Sequence, residues 1–209
     1  NGMENDMSRR DFFSAGALST AVLASVATSV ASPKNALGAN DRINLAIIGI
    51  RGRGREHFNQ WTKIPGVRIS VLCDIDENLF PERVKELEKL QTVAPVTETD
   101  LRRVMENKDI DAVIVANTNH WHALTSIWAI QAGKDVYVEK PVSYTISEGR
   151  KIVEAAGKYK RIVQTGSQYR SNPMVQSAIE FVKSGGVGKV YMAKSVVYHP
   201  RQSIGRGKI

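Results

Sequence analysis

Short apolar runs alternate with longer amphipathic segments along the chain, and this alternation limits the fold more than any other feature. Runs rich in β-branched residues predict buried strands at Ile43–Ile48, Val67–Leu72, Ala112–Ala116, Val136–Val138 and Ile162–Thr165. Apolar residues at helical spacing predict helices between them, at about Arg53–Lys63, Glu77–Leu90, Asp100–Asn107, His122–Ala132 and Ser147–Tyr159. Strands that alternate with helices predict an α/β fold, a doubly wound parallel sheet with helices on both faces.

Three glycines surround the end of the first predicted strand: Gly49 ends it, and Gly52 and Gly54 open the next helix. Glycine lets the backbone turn tightly and approach a pyrophosphate, which then binds at the helix N-terminus. Arg51 stands where the G-x-G-x-x-G motif has its second glycine, and its side chain could crowd the diphosphate or clamp it bidentately. We favour the clamp, or a small loop shift that lets Gly52 serve instead. A strand-to-helix turn without a ligand is the alternative.

Asp74 falls at the end of the second predicted strand, 25 residues after Gly49. A carboxylate there accepts hydrogen bonds from the ribose hydroxyls of a dinucleotide and repels a 2′-phosphate, which favours NAD. Arg51 and Arg53 argue the other way, because arginine accommodates a 2′-phosphate, so NADP stays possible. We expect NAD as the cofactor, with Arg53 among its contacts.

The predicted strand Val136–Val138 runs straight into Glu139, Lys140 and Pro141. Pro141 cannot continue the ladder of backbone hydrogen bonds, so the chain leaves the sheet there and Lys140 stays at the carboxyl end of the strand. Ligands of open α/β sheets bind in the crevice outside those ends. A partly desolvated lysine in that place can share a proton with a substrate. A solvated lysine beside a turn is the alternative.

Polar side chains also close the third predicted strand. Asn117, Thr118 and Asn119 are short and polar, which suits hydrogen bonds to the ribose and the nicotinamide edge of a cofactor. His120 and His122 lie two residues apart, but no cluster of cysteines or carboxylates accompanies them, so we expect no metal site. We expect His122 to open the next helix.

In this order and spacing, the motifs resemble the oxidoreductase family of glucose–fructose oxidoreductase, inositol dehydrogenase and the rhizopine catabolism proteins. The stretches that carry the resemblance are Ile43–Gly49 with Gly52 and Gly54, Asn117–His122, and Glu139–Pro141. It implies a Rossmann domain for NAD(P) at 42–170 and, at 171–209, the beginning of an α+β, mostly antiparallel substrate domain. The implied reaction is hydride transfer between a nicotinamide and a hydroxyl or ketone carbon of a sugar or cyclitol.

The same resemblance implies roles for single residues. Lys140 would transfer a proton in catalysis, together with a second group that lies in the substrate domain beyond Ile209. For Arg170, which the resemblance places at the substrate, the alternative is a position in a surface loop without a ligand. The full-length protein is expected to be a homo-oligomer. The residues that the resemblance places at the cofactor are His122, Glu139, Lys140 and Gln168, and those at the substrate are Lys140, Tyr169 and Arg170.

Two other functions stay open. Some related sequences are glycosidases that oxidise their substrate transiently with a bound NAD, and these tend to lose the Glu-Lys-Pro tripeptide that is present here. The other alternative is a non-catalytic protein that binds dinucleotides or acts as a sensor, which a disrupted Lys140 would have favoured. The intact Lys140 therefore favours the oxidoreductase.

The first residues have the pattern of an export signal. Arg9 and Arg10 precede an apolar run of small residues from Ala15 to Val30. This pattern resembles the twin-arginine type and predicts a signal peptide at 1–31, a linker at 32–41 and folded export by the twin-arginine machinery to a periplasmic or extracytoplasmic location. The run is shorter than the roughly 20 apolar residues that span a bilayer, so we expect no stable membrane anchor. An ordinary buried helix is the alternative.

The formal net charge of +8 does not indicate a nucleic-acid partner. Lysines and arginines alternate with acids along predicted helices, as in Glu82–Lys89, which is typical of a solvated amphipathic face. The single cysteine, Cys73, lies in an apolar strand pattern, so we predict a buried thiol and no intramolecular disulfide.

Overall fold

The computed structural model describes residues 42–196, and six parallel strands form one sheet among them. The strands are β1 Ile43–Ile48, β2 Val67–Cys73, β3 Val96–Glu98, β4 Ala112–Val115, β5 Asp135–Val138 and β6 Val163–Thr165. Their order across the sheet is β3-β2-β1-β4-β5-β6, and every neighbouring pair is parallel. The chain builds one half of the sheet outward from β1 and then returns to build the other. The topological switch point, which in this fold forms the ligand-binding crevice, therefore lies between the carboxyl ends of β1 and β4.

Helices connect the strands, and short 3-10 turns lie at Glu77–Leu79 and Gln168–Ser171. The α-helices are α1 Gly52–Trp61, α2 Phe80–Glu88, α3 Leu101–Glu106, α4 Asn119–Gln131, α5 Ile146–Tyr159 and α6 Pro173–Lys183. Helix α5 begins with a complete capping box, in which Thr145 and Glu148 satisfy each other's backbone N–H groups.

The core has two parts, one on each face of the sheet. Successive side chains of a strand point to opposite faces, so Leu45 and Ile47 of β1 pack with Phe58 and α2, whereas Ala46 and Ile48 pack with α3, α4 and α5. The prediction of a doubly wound α/β fold is therefore confirmed. Cys73, at the end of β2, is buried, and this burial raises the pKa of its thiol to about 12. The prediction of a buried thiol is therefore confirmed.

Three details differ from the sequence prediction. Strand β3 was not predicted, because Val96–Glu98 is short, follows Pro95 and becomes a strand only by pairing with β2. Helix α4 begins at Asn119, so His122 lies in its first turn and does not open it. Residues 190–196 lie in the region where the resemblance implies the start of a mostly antiparallel domain, but they form no strand, since no other described strand pairs with them.

Helix α6 begins directly after Asn172, whose side chain caps its N-terminus. No residue of α6 is buried among residues 42–196, although Ile179, Phe181 and Val182 are apolar. Every helix in the described part of the chain is too short or too polar to cross a membrane. The predicted signal peptide and linker lie outside the described residues.

Candidate cofactor and active site

The predicted site residues lie along one edge of the sheet, because the carboxyl ends of parallel strands share an edge. The central strands β1, β2, β4 and β5 supply most of them, and the exposed 3-10 turn after β6 supplies the rest. The residues at the ends of the central strands are Gly49, Arg51, Gly52, Arg53, Gly54, Asp74, Asn117, Thr118, Asn119, Glu139 and Lys140. The residues on the turn after β6, the outermost strand, are Gln168, Tyr169 and Arg170, all exposed.

Two glycines allow the β1–α1 turn to lie directly against the end of β4. Gly49 has a left-handed φ of +86°, and a Cβ there would lie 2.5 Å from the backbone nitrogen of Asn117. A Cβ on Gly54 would lie 1.7 Å from the carbonyl oxygen of Gly49. Backbone therefore meets backbone at both positions, and no side chain fits between them.

The N-terminus of α1 fits a bound diphosphate. Arg51, at the N-cap, makes no side-chain hydrogen bond to the first turn, and a Cβ on Gly52 would meet no heavy atom within 4 Å. The first backbone N–H groups of a helix, together with its dipole, favour an anion such as a phosphate. The open space at Gly52 lets such a group approach the backbone closely.

Asn117 fits a second part of a dinucleotide. Its Nδ2 donates to Thr125 Oγ1 at 3.2 Å, whereas its Oδ1 is buried and has no hydrogen-bond partner within the described residues. A buried acceptor without a donor is costly, so the Oδ1 suits a ligand that donates, such as a ribose hydroxyl or an amide. The predicted role of Asn117 is thus compatible with its position.

Asp74 ties the glycine turn to the end of β2. Its Oδ2 accepts a hydrogen bond from the N–H of Ile50 at 2.9 Å, and its Oδ1 accepts one from the N–H of Asp76 at 3.1 Å. Sequence analysis missed Arg83 of α2, whose buried Nε donates to the carbonyl oxygen of Ile50 at 3.0 Å. The glycine turn, which would bind the nucleotide, is therefore hydrogen-bonded to Asp74 at the end of β2 and to Arg83 of α2.

The two arginines of the turn point to opposite ends of the crevice. Arg51 is exposed and forms an ion pair with Asp76, in the loop after β2. Arg53 donates from Nε to Glu139 Oε1 at 2.7 Å and also pairs with Glu56. A diphosphate clamp by Arg51 stays a prediction, since in the structure Asp76 engages its guanidinium.

Glu139 is a buried carboxylate with several partners. Besides Arg53, its Oε1 contacts Nε2 of the buried His57 at 3.0 Å, and its Oε2 accepts from the N–H of Lys140 at 3.3 Å. Trp61 Nε1 donates to His57 Nδ1 at 3.2 Å, so Nε2 is the nitrogen that donates to Glu139. Burial raises the pKa of Glu139, but Arg53 and His57 outweigh burial and hold this pKa below its ordinary value.

Sequence analysis missed His57 and Trp61. They lie four residues apart on one face of α1, which was the available signal, but Glu139 lies 82 residues after His57. Tyr137 packs edge-on against both rings, with ring centroids 5.4 and 5.5 Å away. Together these contacts hold Glu139, the residue before Lys140, against helix α1, which follows the glycine turn.

We expect acid to destabilise the fold through His57. Burial lowers the pKa of His57, and Glu139 offsets this only in part. Below the ordinary pKa of 6.5, His57 of the unfolded chain binds a proton, whereas the buried ring of the folded protein stays neutral to a lower pH. The free energy of unfolding that the neutral ring contributes above pH 6.5 is therefore lost as the pH falls. Urea denaturation should show that His57→Gln flattens the fall in free energy of unfolding between about pH 7 and pH 5.

The matched control for this prediction is His120→Gln, which replaces an exposed histidine of α4. It should leave the pH dependence of the unfolding free energy as in the wild type. A slope that is equal in His57→Gln and in the wild type would contradict the assignment of this effect to His57.

Lys140 lies exposed just after β5, and not partly desolvated as predicted. The buried residue of the Glu-Lys-Pro tripeptide is instead Glu139, because successive side chains at the end of a strand point in opposite directions. Lys140 is therefore exposed at the carboxyl end of β5, the edge of the sheet at which ligands of this fold bind.

His122 holds the ends of β4 and β5 together. Its buried ring places Nδ1 2.6 Å from the carbonyl oxygen of Pro141 and Nε2 3.0 Å from that of Asn117. A neutral imidazole has one N–H, so only one of these contacts is then a full hydrogen bond. Both nitrogens thus face backbone and not the open crevice. Within residues 42–196, no three His, Cys, Asp or Glu side chains are grouped as metal ligands.

Comparison with known proteins agrees with this geometry. Residues 43–167 match the family described as "Oxidoreductase family, NAD-binding Rossmann fold". A "Glycosyl hydrolase family 109 protein" of Shewanella baltica is 26% identical and covers 93% of this chain and 47% of its own length. A protein of the same description from Parabacteroides distasonis is 30% identical, over 84% of this chain and 40% of its own. The chain spans about half the length of the curated relatives it matches.

Solved structures of inositol dehydrogenases have the same fold. The myo-inositol 2-dehydrogenase of Lactobacillus plantarum superposes with a TM-score of 0.62 at 25% identity, over 71% of this chain and 43% of that one. The scyllo-inositol dehydrogenase of Lactobacillus casei, solved with bound NAD(H) and scyllo-inositol, gives a TM-score of 0.60 at 25% identity, over 70% and 42%. The chain belongs to the oxidoreductase family with an NAD-binding Rossmann fold, the family that its motifs resemble.

Proposed function

We propose that the full-length protein is an NAD-dependent oxidoreductase that transfers a hydride between the nicotinamide and a hydroxyl-bearing carbon of a sugar or cyclitol. The observation that carries this proposal is the position of Lys140. Lys140 is exposed at the carboxyl end of β5, the strand next to β4, and so lies close to the crevice at the carboxyl ends of β1 and β4. Ligands of this fold bind in that crevice, so the amine can act on one of them.

The residues of the crevice have two roles, cofactor binding and proton transfer. The first N–H groups of α1, with the open space at Gly52, hold the diphosphate, while Asp74 and Asn117 offer acceptors to the nucleoside parts. A bound NAD supplies the acceptor for the hydride. Lys140 is the group proposed to exchange a proton with the substrate: it would take the hydroxyl proton when the carbon is oxidised and return it when the carbon is reduced.

The substrate class follows from the structural relatives and from the turn after β6. Two of the relatives are inositol dehydrogenases, which supports a cyclitol or a sugar as the substrate. We place Gln168 at the cofactor and Tyr169 and Arg170 at the substrate, because their turn follows the strand next to β5. Hydroxyl-rich substrates need such polar and aromatic groups for orientation.

A glycosidase that oxidises its substrate transiently is the second candidate. It is supported by the names of curated relatives, such as an alpha-N-acetylgalactosaminidase of Shewanella oneidensis, 26% identical over 84% of this chain. Lys140, in the intact Glu-Lys-Pro tripeptide, favours the first candidate over this one.

A paired assay on the full-length protein tests the two candidates. NAD and a panel of cyclitols and hexoses are supplied, and the absorbance of reduced nicotinamide is followed. Net reduction of NAD is the expected result. Release of nitrophenol from a nitrophenyl N-acetylgalactosaminide without net reduction would favour the glycosidase. NAD binding with neither reaction would contradict both and indicate a non-catalytic protein.

We also propose that the protein is exported folded by the twin-arginine machinery. Arg9, Arg10 and the apolar run that follows them support this proposal. We expect the double substitution Arg9→Lys and Arg10→Lys to retain the protein in the cytoplasm, as judged by immunoblots of periplasmic and cytoplasmic fractions. Unchanged export of the double variant would contradict it.

The proposed domain organisation is a signal peptide at 1–31, a linker at 32–41, the Rossmann domain at 42–170 and the start of the substrate domain at 171–209. We further propose a homo-oligomer for the full-length protein. The apolar and exposed residues of α6 support the packing of further structure on this part of the chain. Light scattering of the full-length protein tests the oligomer, and a monomeric mass would contradict it.

A further inference from the structure

We propose that Asp76 makes the nucleotide site selective for NAD, because it engages Arg51, the arginine that would otherwise bind the 2′-phosphate of NADP. The inference rests on the proposed function, since it names a specificity-determining residue in the same nucleotide site. It concerns binding alone and not the reaction.

The carboxylate of Asp74 brings Arg51 and Asp76 close to each other. Asp74 accepts hydrogen bonds from Ile50 in the loop after β1 and from Asp76 in the loop after β2, so it joins the two loops. Arg51 follows Ile50 directly, and its guanidinium reaches across to Asp76. The end of the second strand is where this fold places the adenosine ribose, so the ion pair spans the position of the 2′ substituent.

Asp76 is itself held in place by contacts that do not involve Arg51. Its Oδ1 accepts from the backbone N–H of Asn78 at 3.2 Å and from Asn78 Nδ2 at 3.0 Å, while its Oδ2 faces Arg51. Hydrogen bonds from Asn78, with the charge of Arg51 beside them, lower the pKa of Asp76, which is therefore ionised at neutral pH. The Asp76 carboxylate is therefore preorganised to bind the Arg51 guanidinium.

The balance of charge disfavours a phosphate at this position. The carboxylate of Asp76 pairs with the guanidinium of Arg51, and the carboxylate of Asp74 is close to Asp76, because it accepts from the backbone N–H of that residue. A 2′-phosphate would bring up to about two negative charges to a place where arginine is already neutralised. The ribose hydroxyls of NAD carry no charge and can donate to carboxylate oxygens, so NAD escapes this repulsion.

Arg53 does not offer an alternative phosphate site at the same place. Its Nε donates to the buried Glu139, at the end of β5 and on the far side of the glycine turn from β2. Of the two arginines that the sequence places near a 2′-phosphate, Arg51 alone lies beside the loop after β2. Selectivity therefore depends on the partner of Arg51.

The test is isothermal titration of the full-length protein with NAD and with NADP, without any sugar. Asp76→Asn keeps an Oδ1 that accepts from Asn78 but removes the charge that holds Arg51. We expect the Kd for NADP to fall by roughly 10- to 100-fold, the scale of a charge-assisted hydrogen bond gained by the phosphate. The Kd for NAD should change little.

Two further variants separate the release of Arg51 from the mere loss of a negative charge. In the Asp76→Asn protein, the additional change Arg51→Gln should abolish the gain in NADP binding. Asp100→Asn also removes a carboxylate that pairs with an arginine, Arg102, and that caps a helix. It should leave the Kd values of both dinucleotides as in the wild type.

The proposal is overturned if Asp76→Asn gains no affinity for NADP, if the gain survives the loss of Arg51, or if Asp100→Asn gives the same gain. A wild type that binds NADP as tightly as NAD would overturn it as well. A wild type that binds NAD selectively but oxidises no sugar would contradict the proposed reaction alone, and these titrations would still decide the role of Asp76.

Discussion

Replacing Lys140 with alanine is expected to lower the turnover of the full-length protein by roughly 10²–10⁴-fold, the usual effect of losing a general acid or base. The lysine is exposed beyond the end of β5, so its truncation removes no core packing. The groups proposed to hold the cofactor, at the start of α1 and at Asp74 and Asn117, stay in place. Steady-state kinetics should therefore show the loss while titration shows unchanged NAD binding.

Two companion variants sharpen this test. Lys140→Arg keeps the positive charge but cannot release a proton near neutral pH, so it should lose turnover to a similar extent. Lys151→Ala removes an exposed lysine of α5 that pairs with Glu154, and it should leave turnover unchanged. Wild-type turnover in Lys140→Ala would contradict the catalytic role, and wild-type turnover in Lys140→Arg would contradict proton transfer by the amine.

Gly54→Ala is expected to destabilise the fold by about 3 kcal/mol or more, the upper range for an overpacked site. The added Cβ would lie 1.7 Å from the carbonyl oxygen of Gly49, which is backbone and cannot rotate away. Helix α1 would have to move off β1, and the contacts of Phe58 with the core would weaken. Urea denaturation of the full-length protein measures the loss.

Gly52→Ala is the matched control, two residues earlier in the same turn. A Cβ there meets no heavy atom within 4 Å, so stability should hold or rise slightly, by up to about 1 kcal/mol. The same methyl would narrow the space proposed for the diphosphate, so NAD should bind more weakly. Equal unfolding free energies for Gly54→Ala and Gly52→Ala would contradict the close packing of α1 on β1.

The sequence was sufficient to predict the sheet wherever a strand is buried. The β1 run Ile43–Ile48 and its counterparts in β2 and β4 are rich in β-branched residues and largely apolar, as is typical of buried parallel strands. The edge strand β3 has exposed residues next to Pro95, so its local pattern carries no strand signal. Its conformation comes from pairing with β2, which is a tertiary effect.

The position of the candidate site at one edge of the sheet follows from the sequence, whereas the contacts between its residues do not. Strand ends placed Asp74, Asn117 and Lys140 at one edge of the sheet, because that follows from parallel topology. The engagement of Arg51 by Asp76 and the burial of Glu139 against His57 depend on side-chain directions across distant elements. No local pattern encodes those directions, and they decide which charges remain available to a ligand.

The most direct measurement of the central claim, that this crevice holds NAD beside Lys140, is to identify the nucleotide that the full-length protein carries. The protein is purified from its native compartment, denatured mildly, and the released material is identified by mass. We predict NAD or NADH at about one per chain, as one Rossmann crevice holds one dinucleotide. A protein that carries no nucleotide and also fails to bind added NAD or NADP would contradict the account.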